Sequence, residues 1–187
     1  VKVLPNAQQF DPANPAYKMY YRALAARKLP LLSHVGYEFS LSGADQSAGD
    51  PVRLRVPLEE GVTVIAAHAC SYGLLLYERF LPTLQQFVQL YANFYADISS
   101  LTHPNRFRML LHLRRLPEIH KRLLFGTDYP LPVFHFPCWG RVGIRALREM
   151  IRTKNRFDRQ VAVCRGLQLG FRSLGDVVAQ PQLSQRP

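Results

Sequence analysis

Short apolar runs recur along the chain and predict five buried β-strands. They occupy residues 1–4, 31–34, 62–67, 95–99 and 123–126. Their starts lie roughly 30 residues apart, which is about the length of a strand, a crossover helix and the connecting loops. Most positions in these runs are apolar rather than alternating with polar ones, as in strands of a parallel sheet that are covered on both faces.

The segments between the runs carry apolar residues three and four positions apart, which is the period of an amphipathic helix. Such segments are 14–28, 81–94 and 107–122, the last interrupted by Pro117. After the fifth run only helical patterns follow, at 141–151, 157–169 and 173–180. The alternation predicts an α/β domain over residues 1–178 with right-handed crossovers and extra C-terminal helices. Residues 179–187 are predicted to be a disordered tail.

Two connections are candidates for substrate recognition. Residues 39–53 are rich in Gly, Ser and Asp and predict a long, mobile loop beside a site. Residues 129–139 follow the fifth run and are rich in aromatic residues and proline. The aromatic side chains in these two regions either line an apolar pocket or pack within their loops; they are Tyr37, Phe39, Tyr129 and Trp139.

Composition is that of one globular domain. Of 187 residues, 48% are hydrophobic and 20% charged. No apolar run approaches the roughly 20 residues needed to cross a bilayer, so a membrane partner is not expected. The three cysteines are far apart and form no C-x-x-C pair, which argues against a disulfide framework and favours a reducing, cytoplasmic compartment.

The net charge of +11 raises the possibility of a nucleic-acid partner. The distribution of the basic residues argues against it. Their densest groups lie at 105–115 and 141–159, where they fall between apolar positions at helical spacing. Solvated helix faces explain this pattern better than a phosphate-binding surface, so nucleic acid is not expected as a partner.

Polar residues stand at the ends of three predicted strands: His34, His68 and Asp128. Taken alone, each histidine fits a hydrogen-bonded structural side chain, and the aspartate fits a turn or an N-cap. Taken together, they occupy equivalent points of successive strand-helix units. Because active sites of parallel α/β proteins gather at the carboxyl ends of the strands, we expect the three side chains to converge.

Two neutral imidazoles and a carboxylate suit zinc or another first-row divalent ion. Such an ion makes a nucleophile of water at neutral pH, and a histidine beside it can transfer a proton. Asp128 is therefore expected to pair with a cation or to hold the attacking water.

Four segments together resemble amidohydrolase-related, metal-dependent TIM-barrel hydrolases, in the branch of the amidohydrolase 2 proteins and their decarboxylase relatives. The segments are VKVLPNAQQFDPANPAYKMYYRALAARKLPLLSHVG, VTVIAAHACSYG, YADISSL and RLLFGTDYPLP. The resemblance implies a partial (β/α)8 barrel, approximately strands four to eight, acting on a small-molecule substrate. It implies metal ligation by His34, His68 and Asp128, with zinc as the expected cofactor and with His68 and Asp128 also in catalytic roles.

The sequence departs from this family in one respect: the His-x-His pair of the family's first strand is absent. The chain starts at Val1 without a leader, so a C-terminal fragment that is inactive by itself is expected. Three functions stay open: a metal-dependent hydrolase, a nonoxidative decarboxylase on the same scaffold, and an inactive fragment used for binding or assembly. Some members of the family carry a functional lysine on the strand that corresponds to that of Lys2, but many do not, and Lys2 is not expected to have this role.

Five strands cannot close an eight-stranded barrel. The strands at 1–4 and 123–126 are therefore expected to be open edges flanked by exposed apolar side chains. Self-association through these edges is the predicted consequence.

Overall fold

The computed structural model describes residues 1–39, 45–74 and 77–178, and in it five parallel strands form one sheet in the order β1-β2-β3-β4-β5. The strands are β1 (Lys2–Val3), β2 (Leu31–Ser33), β3 (Val64–Ala66), β4 (Phe94–Asp97) and β5 (Leu123–Leu124). Each overlaps a predicted run, so the α/β class with a parallel sheet is confirmed. The tail 179–187 lies outside the described residues, and its predicted disorder stays a prediction.

Helices connect the strands and follow β5. They are α1 (Pro5–Gln8), α2 (Lys18–Ala26), α3 (Arg55–Glu59), α4 (Leu81–Leu90), α5 (Phe107–Leu113), α6 (Ile144–Arg152), α7 (Arg156–Gly166) and α8 (Leu174–Val178). As predicted, the third amphipathic segment breaks near its proline, and Pro117–Arg122 form a 3-10 helix. In the ranges described, no helix combines the length and the apolar composition that a bilayer crossing requires.

The predicted loop 39–53 contains more local structure than expected. Gln46–Gly49 and Pro51–Leu54 form two consecutive 3-10 turns. Asp45 and Asp50 cap these turns, because each side chain accepts a backbone N–H from two residues ahead. Residues 40–44 lie outside the described residues, so only the second part of the loop is corrected.

The sheet has two apolar faces, because side chains alternate across a strand. One face joins the helices in the main core: Leu31, Val64, Phe94 and Leu123 belong to the same buried cluster as residues of α2, α4, α5 and α7. The opposite face forms a smaller cluster around Ile65, Tyr95, Leu124 and Val177, with Leu32 packed against it. Helix α8 therefore supplies Val177 to the face of the sheet opposite the main core.

The two outer strands differ. Among the described residues, β1 has a strand partner on one side only, so its outer edge is open as predicted. The prediction of an open edge at β5 was wrong. Phe125 N–H donates to the Arg172 carbonyl and Arg172 N–H donates to the Leu123 carbonyl, both at 2.8 Å, so the segment before α8 covers this edge. Leu123 and Leu124 are buried rather than exposed.

Candidate active site at the carboxyl ends of the strands

The structure brings His34, His68 and Asp128 together. His34 directly follows β2, His68 lies in a turn after β3, and Asp128 lies in the connection after β5. His68 Nε2 is 3.3 Å from His34 Nδ1 and 4.0 Å from Asp128 Oδ2. Both imidazoles are buried, and their rings meet edge to face. The predicted convergence is thus observed, while metal binding and catalysis by these residues stay predictions.

Left-handed backbone conformations concentrate at this edge of the sheet. His68, Ala69 and Cys70 have φ values of 57°, 48° and 57°, and Ser100 and Asp128 have values of 55° and 59°. A residue with a Cβ pays roughly 1 kcal/mol or more for such a conformation, which persists where the surroundings fix it. These tight turns allow the chain to leave each strand abruptly while the polar side chains stay close to the strand ends.

Ser99 fixes the protonation pattern of His68. His68 Nδ1 lies 3.1 Å from the Ser99 carbonyl oxygen and 2.9 Å from Ser99 Oγ. Since a carbonyl only accepts, Nδ1 carries the proton in the neutral ring. Nε2 is then left with its lone pair, directed at His34 and Asp128. This arrangement is typical of metal-binding histidines, in which one nitrogen donates to a protein carbonyl and the other is free to ligate.

Asp97, at the end of β4, holds the turn that carries His68. Its Oδ1 accepts the backbone N–H groups of His68 at 2.9 Å and of Ser99 at 3.0 Å, together with the Ser99 hydroxyl. Burial raises the pKa of Asp97, and these hydrogen bonds oppose the rise. Sequence reasoning missed this residue because it ends a predicted strand in the same way as the histidines but was counted within the strand.

Asp128 is also held by a residue that follows β4. Ser100, three residues after the end of this strand, donates its hydroxyl to Asp128 Oδ2 at 2.7 Å. The Asp128 side chain is 28% exposed, whereas the His68 side chain is 6% exposed. Asp128 is therefore the group of the three with most access to solvent, which suits a residue that handles a water molecule.

One nitrogen of His34 lacks a partner among the described residues. Its buried Nε2 lies within hydrogen-bonding distance of no donor or acceptor there, while Nδ1 faces His68 Nε2 and lies 3.8 Å from Glu38 Oε2. If Nδ1 bears the proton, Nε2 is a buried lone pair without a donor. If Nε2 bears it, two lone pairs face each other between the rings. Either tautomer of His34 costs about 1–3 kcal/mol. A cation between the rings would interact with both lone pairs of the second tautomer and so remove its cost.

Both imidazoles are held neutral. Burial, followed by the nearby Arg106 guanidinium, lowers the pKa of His34 to about 4, against the opposing effect of Glu38. Burial is also the main reason why the pKa of His68 falls well below its ordinary value, with Arg106 and His34 adding to the effect. Since metals bind the neutral ring, this environment favours the ligating form at neutral pH.

Arg106 ties three strand-end connections together. Its guanidinium, in a residue only 6% exposed, donates to the carbonyls of Ser71 at 3.1 Å and Tyr37 at 3.0 Å. A Cβ on Gly73 would come within about 3.0 Å of this guanidinium, and the φ of +75° at this position also favours glycine. Sequence reasoning placed Arg106 among solvated basic residues. Its spacing to the buried Met109, Leu110 and Leu113 gives a signal for burial that was available in the sequence.

Replacing Arg106 with methionine is expected to cost about 3 kcal/mol or more in free energy of unfolding. The change removes a buried charge and leaves two loop carbonyls without their donor. Urea denaturation measures the effect, with Arg108→Met as the control, because Arg108 is exposed two residues away. The control should stay within about 0.5 kcal/mol of the parent. Equal stability of the two variants would show that Arg106 does not hold the loops.

A cleft of about 540 Å³ opens beside the connections after β2 and β3, lined by Tyr37, Gln46, Ser47, Asp50, Val52, Arg53, Tyr72, Arg79 and Phe80. Tyr37 thus lines a pocket, as one of the two interpretations of the aromatic residues requires, and Phe39 stacks on Tyr37. Tyr129 instead stacks on Phe157, and Trp139 lies beside His135. Tyr129 therefore contacts helix α7, Trp139 contacts its own loop, and neither is among the residues that line this cleft.

The donors partly fit a divalent ion. Tetrahedral zinc with Zn–N bonds of about 2.0–2.1 Å separates two ligand nitrogens by about 3.3–3.4 Å, which matches the 3.3 Å between the imidazoles. Asp128 stands farther off, at 4.0 Å from His68 Nε2. Within the described residues, no group of three or more His, Cys, Asp or Glu side chains forms a complete metal site. The spacing of His34 and His68 thus matches that of two zinc ligands, and the described residues alone do not complete such a site.

Comparisons with known proteins support the fold. The chain is similar to the crystal structure of an uncharacterized TIM-barrel protein from Bordetella bronchiseptica, with a TM-score of 0.53 and 17% sequence identity. The match covers 87% of this chain and 57% of that protein, so the chain spans little more than half the length of the structure it resembles. No protein-family model and no curated protein matches the chain. At this identity the likeness concerns the fold alone.

Proposed function

We propose that this chain is the carboxyl-terminal part of a TIM-barrel hydrolase that uses a divalent metal ion, with zinc as the expected ion, to act on a small molecule. The observation that carries the proposal is the contact between His34 and His68. Two buried imidazoles face each other at ligand spacing, and Ser99 directs the lone pair of His68 into the site.

In this proposal each residue of the site has a distinct role. His34 and His68 would hold the ion, which would supply a water that is nucleophilic at neutral pH. Asp128, oriented by the Ser100 hydroxyl, would accept a proton from the attacking water and return it to the leaving group. Asp97 and Ser99 keep His68 in the ligating tautomer. Arg106 holds the connections around the site.

The sheet supports an incomplete barrel. The five strands run in chain order with parallel neighbours, as successive strands of a (β/α)8 barrel do, and β1 has a free edge within the described residues. We propose that the other strands join at this edge and supply the missing metal ligands. Closing the barrel on the β5 side would require the segment around Arg172 to leave the edge that it covers.

This proposal predicts weak metal binding and little turnover for the 187-residue chain, and a gain of both when the missing strands are added before Val1. The reason is the ligand count: the described residues offer His34 and His68, with Asp128 farther away, and catalysis needs groups held within about half an ångström of the productive geometry. The measurements are elemental analysis and turnover on a panel of esters, lactones, amides and aromatic carboxylic acids.

The panel also separates the open alternatives. Release of carbon dioxide from the carboxylic acids without hydrolysis of the other compounds would identify a decarboxylase. A completed barrel without metal or turnover would identify a binding or assembly module. Full activity of the 187-residue chain alone would contradict the proposal that the centre is incomplete.

A further inference from the structure

A second cleft, of about 320 Å³, is lined almost wholly by basic and aromatic side chains. Its lining consists of Phe107, Arg108, Leu111, His112, Arg114, Arg115 and Arg141. None of these residues belongs to the candidate active site described above.

The phase of helix α5 explains why the basic residues point into this cleft. Met109, Leu110 and Leu113 are buried in the main core. Arg108 and His112 are separated by four positions and share another face of the helix. The two arginines that directly follow α5, Arg114 and Arg115, line the same cleft. The same seven-residue helix thus supplies the core with apolar side chains and the cleft with basic ones.

Arg141 comes from a different part of the chain and closes the cleft. Its Nη1 donates to the Trp139 carbonyl at 3.2 Å and to the Pro137 carbonyl at 3.4 Å. The guanidinium is therefore positioned by its own loop rather than free to move with solvent. Two separate segments bring arginines to one concave surface, which an ordinary solvated helix face does not require.

The charges of the cleft are not balanced by the protein. No carboxylate is among the lining residues. In the ranges that the structure describes, which contain all 13 Asp and Glu residues of the chain, no carboxylate lies within 4.0 Å of any of the four cleft guanidiniums. Elsewhere exposed arginines do find partners, as Arg165 does in Glu149 and Arg22 in Glu60. The cleft therefore concentrates like charges at a cost that an anion would remove.

We propose that this cleft binds a small anion that carries two or more linked phosphate groups. Guanidinium groups match phosphate oxygens in bidentate pairs, and four of them suit more negative charge than a single phosphate provides. The volume is that of a small-molecule site. Phe107 and Leu111 offer apolar surface for an organic group attached to the phosphates. An extended nucleic-acid strand would instead need a basic surface that continues beyond the cleft.

The test is calorimetric titration of the chain with inorganic pyrophosphate and triphosphate at about 0.15 M ionic strength, where long-range attraction is screened. We expect one site and a tighter fit for triphosphate. The Arg114→Gln/Arg115→Gln variant should bind about tenfold or more weakly, because two charge-assisted contacts are lost. The matched control is Arg27→Gln/Lys28→Gln, an exposed basic pair that directly follows α2 as the first pair follows α5. The control should stay within about twofold of the parent chain.

Arg141→Gln removes the guanidinium on the second wall of the cleft and should also weaken binding. This single variant provides the test if the double variant fails to fold. Three results would overturn the proposal: no binding of either anion, equal weakening in the cleft and control variants, or an orthophosphate affinity equal to that of triphosphate. A single-stranded oligonucleotide that binds more tightly than triphosphate, and whose binding weakens equally in the cleft and control variants, would also overturn the proposal and identify a nucleic-acid surface.

Discussion

Replacing Asp128 with alanine or asparagine is expected to lower turnover of the completed barrel by about 10²–10⁴-fold. Asp128 is the carboxylate that lies 4.0 Å from His68 Nε2, and its left-handed backbone and the Ser100 hydroxyl fix its position. Asparagine keeps the shape of the side chain but cannot accept the proton from the attacking water. The loss should therefore occur whether or not the metal is retained.

The control for Asp128 is Asp176→Asn. Asp176 also accepts a hydrogen bond, from the Ser173 backbone N–H at 2.8 Å, but it lies exposed in the first turn of α8. Its turnover should equal that of the parent. Ser100→Ala should lower turnover by a smaller factor, about tenfold, because it removes one contact that orients the carboxylate. Normal turnover of an Asp128→Asn barrel would show that the proton is handled by another residue.

The metal-free chain should lose about 2–3 kcal/mol of stability between pH 7.5 and pH 4.5 through the lowered pKa of His34. The folded pKa of His34 is about 4, whereas an unfolded histidine titrates near 6.5. Between these values the unfolded chain binds the extra proton and the folded chain does not. The contribution is therefore complete above pH 6.5 and is lost as the pH falls toward 4. The lowered pKa of His68 acts in the same direction.

Two carboxyl groups oppose this trend. Burial raises the pKa of Asp97 and of Glu78, so the folded chain takes up their protons earlier than the unfolded chain does. The comparison that isolates His34 is the difference between the parent and His34→Asn, measured by urea denaturation with a chelator present. The variant should lose less stability on acidification, while His135→Asn should behave as the parent does. Identical pH profiles for the parent and His34→Asn would contradict the neutral, buried state of this imidazole.

Much of the architecture was predictable because it depends on local patterns. Apolar runs and helical periodicity located all five strands and the main connecting helices. The convergence of His34, His68 and Asp128 was predictable as well, because parallel strands bring their carboxyl ends to one edge of the sheet. The covering of the β5 edge was not predictable, since it depends on hydrogen bonds between the backbone of Arg172 and that of Leu123 and Phe125, which are separated by two helices.

The supporting residues of the site were missed for a different reason. Ser99, Ser100 and Asp97 are polar residues of a strand end, and the sequence does not reveal which of them faces a partner from another strand. Their roles depend on left-handed turns at His68 and Ser100, which no sequence pattern around these residues marks. The burial of Arg106 was indicated by its helical spacing to apolar residues, but its carbonyl partners, 35 and 69 residues away in the chain, could not be predicted.

Zinc affinity measured by competition with a chromophoric chelator tests the central claim most directly. The completed barrel should bind zinc, and the His34→Ala/His68→Ala variant should bind it at least about 100-fold more weakly, because both imidazoles of the proposed centre are lost. The control variant is His112→Ala/His135→Ala, which removes two histidines outside the site and should keep the parent affinity. Unchanged zinc affinity in the His34→Ala/His68→Ala variant would contradict a metal centre at this edge of the sheet.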